Sequence, residues 1–120
     1  MKFLSIEPFV PSGADFEQSK KLFLDLGFII DWEVDGYAGF IRDGCRFILQ
    51  RYDKTEFAQN FMLSVKVDDV EAFKKSVLDK DLQAKYGIRL GKITQMPYGL
   101  EINLIDIAGV CWHFVEHGLR

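Results

Sequence analysis

The stretches that decide the fold are "DFEQSKKLFLDLGF", residues 15–28, and "DDVEAFKKSVLDKDL", residues 68–82. Aligning Asp15 with Asp69 gives D-x-E-x-x-K-K in both. In the first stretch Asp15 and Gln18 have capping-box spacing, as do Asp68 and Glu71 in the second. Phe16, Leu22, Phe23 and Leu26 fall on one face at helical period, and Val70, Phe73 and Val77 make the matching stripe. Glu17 with Lys21, and Glu71 with Lys75, are i,i+4 pairs on the other face. Gly27 is a helix stop. Two helices with one plan are therefore expected.

Each helix follows a strand-like run, "FLSIEPFV" (3–10) or "FMLSVKV" (61–67), and precedes three more. After the first come "FIIDWEV", "YAGFIR" and "CRFILQRY", joined by the turn signals Asp35-Gly36 and Asp43-Gly44. After the second come "IRLGKITQ", "GLEINLID" and "VCWHFVEH", joined around Pro97 and Ala108-Gly109. The chain reads βαβββ twice: module one is residues 1–57, module two 58–120, and "DKTEFAQN" (53–60) connects them. A duplication of this size predicts one domain of two similar units. One unit leaves a sheet face uncovered, and two units can pair their sheets around a concave cleft.

Composition narrows the function. A chain of 120 residues, 48% hydrophobic and 28% charged, is an ordinary globular domain. A net charge of −3 and a pI near 5.3 disfavour nucleic acid and anionic membrane, which need a basic field. A neutral or cationic small molecule suits it better. The opening "MKFLSIEPFV" has Glu7 and Pro8 inside its apolar run, so it lacks a signal-peptide core. No apolar run approaches the roughly 20 residues a membrane span needs, and the cytoplasm is the expected compartment. Cys45 and Cys111 are too few and too far apart for a zinc knuckle or disulfide scaffold.

Throughout its length the chain resembles the vicinal oxygen chelate superfamily, the glyoxalase/bleomycin-resistance/dioxygenase group. The resemblance lies in "EPFVPSGADFEQSKKLFLDLGF", "GFIRDGCRFILQRY", "NFMLSVKVDDVEAFKK" and "INLIDIAGVCWHF". The proline-rich first loop and the final Trp-His-Phe are closest to the bleomycin-resistance-like branch. Two departures are Ile107-Ala108 in the last hairpin and an extra residue in "PSGAD". The resemblance implies an α+β fold of two βαβββ half-barrels and a homodimer, sometimes with exchanged modules. It does not by itself imply an activity, because the superfamily holds lyases, isomerases, dioxygenases and non-catalytic drug binders.

Metal-using members carry ligands on the first, fourth, fifth and eighth strands. Those positions fall here on Glu7, Gln50, Met62 and His113. A thioether does not suit a hard or borderline divalent ion, so Met62 argues against a metal, and no cofactor is expected. The alternative is a lyase or isomerase holding Zn, Ni or Mn on Glu7, Gln50 and His113. Alternation puts Val110, Trp112 and Phe114 on one strand face, and Cys111, His113 and Val115 on the other. The same rule sets Ser64 and Lys66 beside Met62, and Ile48 beside Gln50 and Tyr52. The expected ligand-binding set is Gln50, Tyr52, Met62, Ser64, Tyr98, Cys111 and His113, a few polar groups on an apolar wall. Trp32, Tyr37 and Tyr98 lie near Asp31, Glu33, Asp35 and Glu101, which suits a flat or cationic ligand. No phosphate-binding glycine loop and no nucleophile elbow occurs. The reading is a metal-free binding protein that sequesters an aromatic or cationic compound in a dimer cleft.

Overall fold

The computed structural model describes residues 1–118; Leu119 and Arg120, the end of the expected second module, lie outside the described residues. It is an α+β chain with two sheets built to one plan. Sheet A contains β1 (Phe9–Pro11), β2 (Ile29–Val34), β3 (Tyr37–Arg42) and β4 (Cys45–Gln50) in the order β1-β4-β3-β2. Helix α1 (Phe16–Asp25) connects β1 to β2. After the short helix α2 (Thr55–Asn60), sheet B contains β5 (Met62–Lys66), β6 (Arg89–Leu90), β7 (Thr94–Met96), β8 (Gly99–Ile105) and β9 (Cys111–His117). Its order is β5-β9-β8-β6, with β7 also on β8. Helices α3 (Val70–Asp79) and α4 (Leu82–Tyr86) connect β5 to β6. In each sheet the first strand runs parallel to the last, and the other pairs are antiparallel. Among the described residues no helix is long and apolar enough to cross a membrane.

Local chemistry explains the elements and several differences from expectation. Asp15 caps α1 by accepting from Gln18 N at 3.0 Å. In the second helix the cap is Asp69, which accepts from Ala72 N at 3.0 Å, and not Asp68. The helix begins one residue later than the capping-box spacing suggested, and Glu71 falls in its first turn. The expected charge pairs are also redrawn. Lys20 bonds both Glu17 and Glu33, and Lys75 reaches Asp79 at 2.5 Å. The run "IRLGKITQ" breaks into β6 and β7 around Gly91, and the connector 53–60 contains the short helix α2. The run 3–10 yields a strand only from Phe9.

The two modules share one core. Phe40 and Phe47 stack at 5.1 Å on sheet A, and Phe23 of α1 lies 4.9 Å from Phe47. Trp112 of sheet B inserts among them, 5.3 Å from Phe23 and 5.2 Å from Phe47. Phe73 of α3 stacks on Phe114 at 3.9 Å. Polar ties reinforce the junction: the Asp25 carboxylate accepts from Lys85 at 2.8 Å and from the Tyr86 hydroxyl at 2.5 Å. Both sheets thus spend their apolar face on the common core. Their other faces point away from it, so these faces do not close on one another within one chain. The cleft between paired sheets, expected from the duplication, is not enclosed by a single chain for this reason.

Candidate functional site

Register defines what each outward face presents. On sheet A, Phe9, Ile48, Gly39 and Trp32 form one cross-strand row; Pro11, Gln50, Tyr37 and Val34 form the next. Gly39 is the reason the first row is flat. A Cβ there would come within 2.0 Å of Trp32 Nε1, so the indole lies directly on the bare backbone. Phe9 meets Tyr37 edge-on at 6.2 Å. Trp32 and Tyr37 remain 38% and 37% exposed, Phe9 and Val34 more so. Half-buried Gln50 supplies the polar group of this aromatic wall, and aromatic faces stack well on flat or cationic groups.

Sheet B's outward face is mixed. Its rows are Met62, Cys111 and Ile105; Ser64, His113 and Asn103; and Lys66, Val115 and Glu101. Buried Glu101 is the centre of a relay: its Oε1 accepts from the Tyr98 hydroxyl, and its Oε2 lies 2.9 Å from His113 Nδ1. Burial would raise the Glu101 carboxyl, but hydrogen bonds from Tyr98 and His113 outweigh it and hold it below the usual range. The same bond, with some burial, pushes the Tyr98 phenol up. Burial, then the Glu101 and Asp106 charges, raise the Cys111 thiol, so it stays protonated and is a poor nucleophile. Two enclosed atoms, His113 Nε2 and Asn103 Oδ1, have no hydrogen-bond partner.

The residues expected to bind ligand therefore divide. Met62, Ser64, Cys111 and His113 share the face of sheet B, and Tyr98 joins them through Glu101. Gln50 lies on sheet A. Tyr52 lies beyond the end of β4, because the strand stops at Gln50, and its ring packs edge-on against Phe57 of α2 at 5.7 Å. Clefts of about 380 and 520 Å³ lie elsewhere, along Phe28, Cys45, Val65 and Lys66; of the expected set only Ser64 borders one. Asn103 was not singled out from sequence, although alternation in "GLEINLID" places it beside Glu101. Its burial depends on pairing with β9, which composition does not reveal.

The metal alternative meets a poor donor set. Glu7 precedes β1, off the sheet, and accepts from Ser5 Oγ at 2.7 Å. Met62 presents a thioether next to Cys111, and among the described residues no three His, Cys, Asp or Glu side chains gather to hold an ion. These residues do not fit a hard divalent cation.

No family model matches the sequence, and no curated protein matches it. Solved structures do. The chain is similar to a bleomycin-binding protein from bleomycin-producing Streptomyces verticillus, solved with copper(II)-bleomycin: 25% identity, TM-score 0.81, covering 98% of this chain and 99% of that one. A bleomycin resistance determinant encoded on transposon Tn5 matches at 19% identity and TM-score 0.81, covering 98% and 100%. A fosfomycin resistance protein from Listeria monocytogenes, solved with Mn(II) and sulfate, matches at 10% identity and TM-score 0.75, covering 99% and 94%. The fold is that of the vicinal oxygen chelate superfamily, with two βαβββ half-barrels in one chain.

Proposed function

We propose that the protein sequesters an aromatic or cationic small molecule, an antibiotic of the bleomycin kind being the first candidate, without a metal and as a homodimer. One observation carries the reading: an exposed aromatic wall of Phe9, Trp32 and Tyr37 with Gln50 among them, facing away from the core. Such a wall, with few polar groups, suits a flat ligand. The similarity to bleomycin-binding proteins supports the choice of first candidate. A dimer is supported by the arm before β1, in which Phe3, Leu4 and Ile6 are at least 90% exposed, and by the unpaired outer edges of β1 and β5. In this reading the ligand sites comprise the aromatic wall with Gln50 on sheet A and Met62, Ser64, Tyr98, Cys111 and His113 on sheet B, with sheet A of one copy facing sheet B of another.

The test is a titration with metal-free and copper-loaded bleomycin and with flat aromatic cations, followed by calorimetry and tryptophan fluorescence. Trp112 is buried and Trp32 exposed, so saturable quenching should vanish in Trp32→Phe while Trp112 still emits. No binding by any compound would sink the reading and leave an assembly module. Sedimentation of the full chain against one lacking residues 1–8 tests the dimer, which should dissociate on truncation. Stoichiometric zinc, nickel or manganese in protein purified without chelators, lost in His113→Ala, would instead overturn the metal-free reading in favour of the enzyme alternative.

A further inference from the structure

We infer that residues 2–7 of one copy add as a strand to the outer edge of β5 in a second copy, setting Leu4 and Ile6 in the cleft along that edge and Phe3 on the ligand face of sheet B. The inference rests on the homodimer of the reading above and names the contact that makes it.

Pro8 sets this arm free. Ile48 N donates to the Pro8 carbonyl at 2.9 Å. The next rung of the parallel pair would run from the Pro8 nitrogen to the Arg46 carbonyl, and proline has no N–H to give. Strand β1 therefore starts at Phe9. Glu7, as the residue before a proline, is held extended, so the chain runs on without turning back. Phe3, Leu4 and Ile6 are left at least 90% exposed, and none of them covers the cleft of its own copy. Apolar side chains left in water gain by finding cover.

Among the described residues, β5 has the one sheet edge open to a further strand. Strand β2 is bulged between Ile30 and Trp32 and carries Asp31 and Glu33. Strand β1 has three residues between Pro8 and the end at Pro11, and β6 and β7 have two and three. Charge, bulge, proline and shortness each keep an edge from pairing. Strand β5 has five residues in unbroken register with β9, no proline and one charge, Lys66. Val67 N donates to Val115 O at 2.9 Å, so Leu63 and Val65 also turn their backbone groups toward β9. The N–H and C=O groups of Ser64 and Lys66 point the other way, where no strand takes them.

The cleft of about 520 Å³ lies along this edge, between residues 63–66 of β5 and 44–47 at the start of β4, with Trp112 in its lining. Residues 3–7 match the five residues of β5 one for one at the strand repeat of roughly 3.3 Å. Alternation puts Leu4 and Ile6 on one face of the added strand, and Phe3, Ser5 and Glu7 on the other. The wholly apolar pair belongs on the side of Leu63 and Val65, which pack against the core. Phe3, Ser5 and Glu7 then share the outward face with Met62, Ser64 and Lys66, and Glu7 is opposite in charge to Lys66. A twofold axis lets each copy give one arm and take one. The ligand face of sheet B is thus completed by the second copy, whose Phe3 stands at its margin.

The test is nuclear Overhauser contact in mixed samples of isotope-labelled and unlabelled full chain, read beside sedimentation. Contacts are expected from the Leu4 and Ile6 methyls of a labelled copy to the Trp112 ring of an unlabelled one, and from the Phe3 ring to the Met62 methyl. Leu4→Asp with Ile6→Asp should raise the dimer dissociation constant by about a hundredfold or more. The separated chain should keep its melting temperature, because both residues are exposed there. Lys66→Pro removes an N–H that β9 does not use, and should weaken the dimer by about tenfold or more. If that variant does not fold, the arm variant and the contacts decide the matter. Contacts found only within one copy overturn the inference, as does a dimer undiminished by the double substitution. A folded Lys66→Pro dimer of wild-type strength shows clustering without strand pairing and overturns it too. Each of these leaves the homodimer and the binding function standing. A chain monomeric at every concentration overturns the inference and the homodimer together, while the bleomycin titration still judges the binding function by itself.

Discussion

Asp106 shows how much one side chain can settle. In the turn between β8 and β9 its carboxyl accepts from Gly109 N at 3.1 Å, Val110 N at 2.9 Å and Trp112 Nε1 at 2.9 Å. Burial pushes it up to about 6, against the pull of those donors. A carboxyl raised in the fold above its unfolded value stabilises most below that value, and the contribution is lost as pH rises through 6. We expect wild-type stability to fall relative to Asp106→Asn between pH 4 and 7, by at most about 3 kcal/mol. Urea unfolding across that range checks it, and parallel curves would refute it. From sequence this residue was only the Asp of a final hairpin. Its burial depends on Trp112 arriving from the next strand.

At the scale of elements, the helices and the hairpins were legible because their signals are local. Apolar period, caps and the Asp-Gly turns all lie within a few residues of what they specify. What failed was also local but finer. The cap shifted by one residue to Asp69, and α4 follows a left-handed Asp81 at φ 54°, which no pattern in "DKDLQAKY" announces. The cap assignment gives a sharp expectation. Asp15→Ala and Asp69→Ala should each cost about 1 kcal/mol, while Asp68→Ala should stay within about 0.5 kcal/mol. Denaturant midpoints of the three variants distinguish them, and a larger loss at Asp68 would make Asp68 the cap.

For the whole molecule, the decisive contact is between modules. Trp112 of sheet B sits 3% exposed among Phe23 and Phe47 from the other half. Removing it should destabilise both halves together: Trp112→Ala is expected to cost about 3–5 kcal/mol and to lower a single cooperative transition. Two separated transitions in wild type, only one moved by the substitution, would mean that the modules do not share a core. The same packing turns the aromatic wall and the Glu101 relay outward, so any ligand held by both faces needs more than one chain around it.

The sequence by itself determined the duplicated βαβββ plan and the alternation that assigns each strand residue to a face, because period and turn chemistry are properties of neighbours along the chain. It also brought Met62, Ser64, Cys111 and His113 within one expected set. Only the tertiary structure decided that Tyr52 leaves the sheet for Phe57, and that Glu101 and Asn103 surround His113. The reason is physical: alternation says which residues share a face, but which faces are buried together is set by the global competition to cover apolar surface.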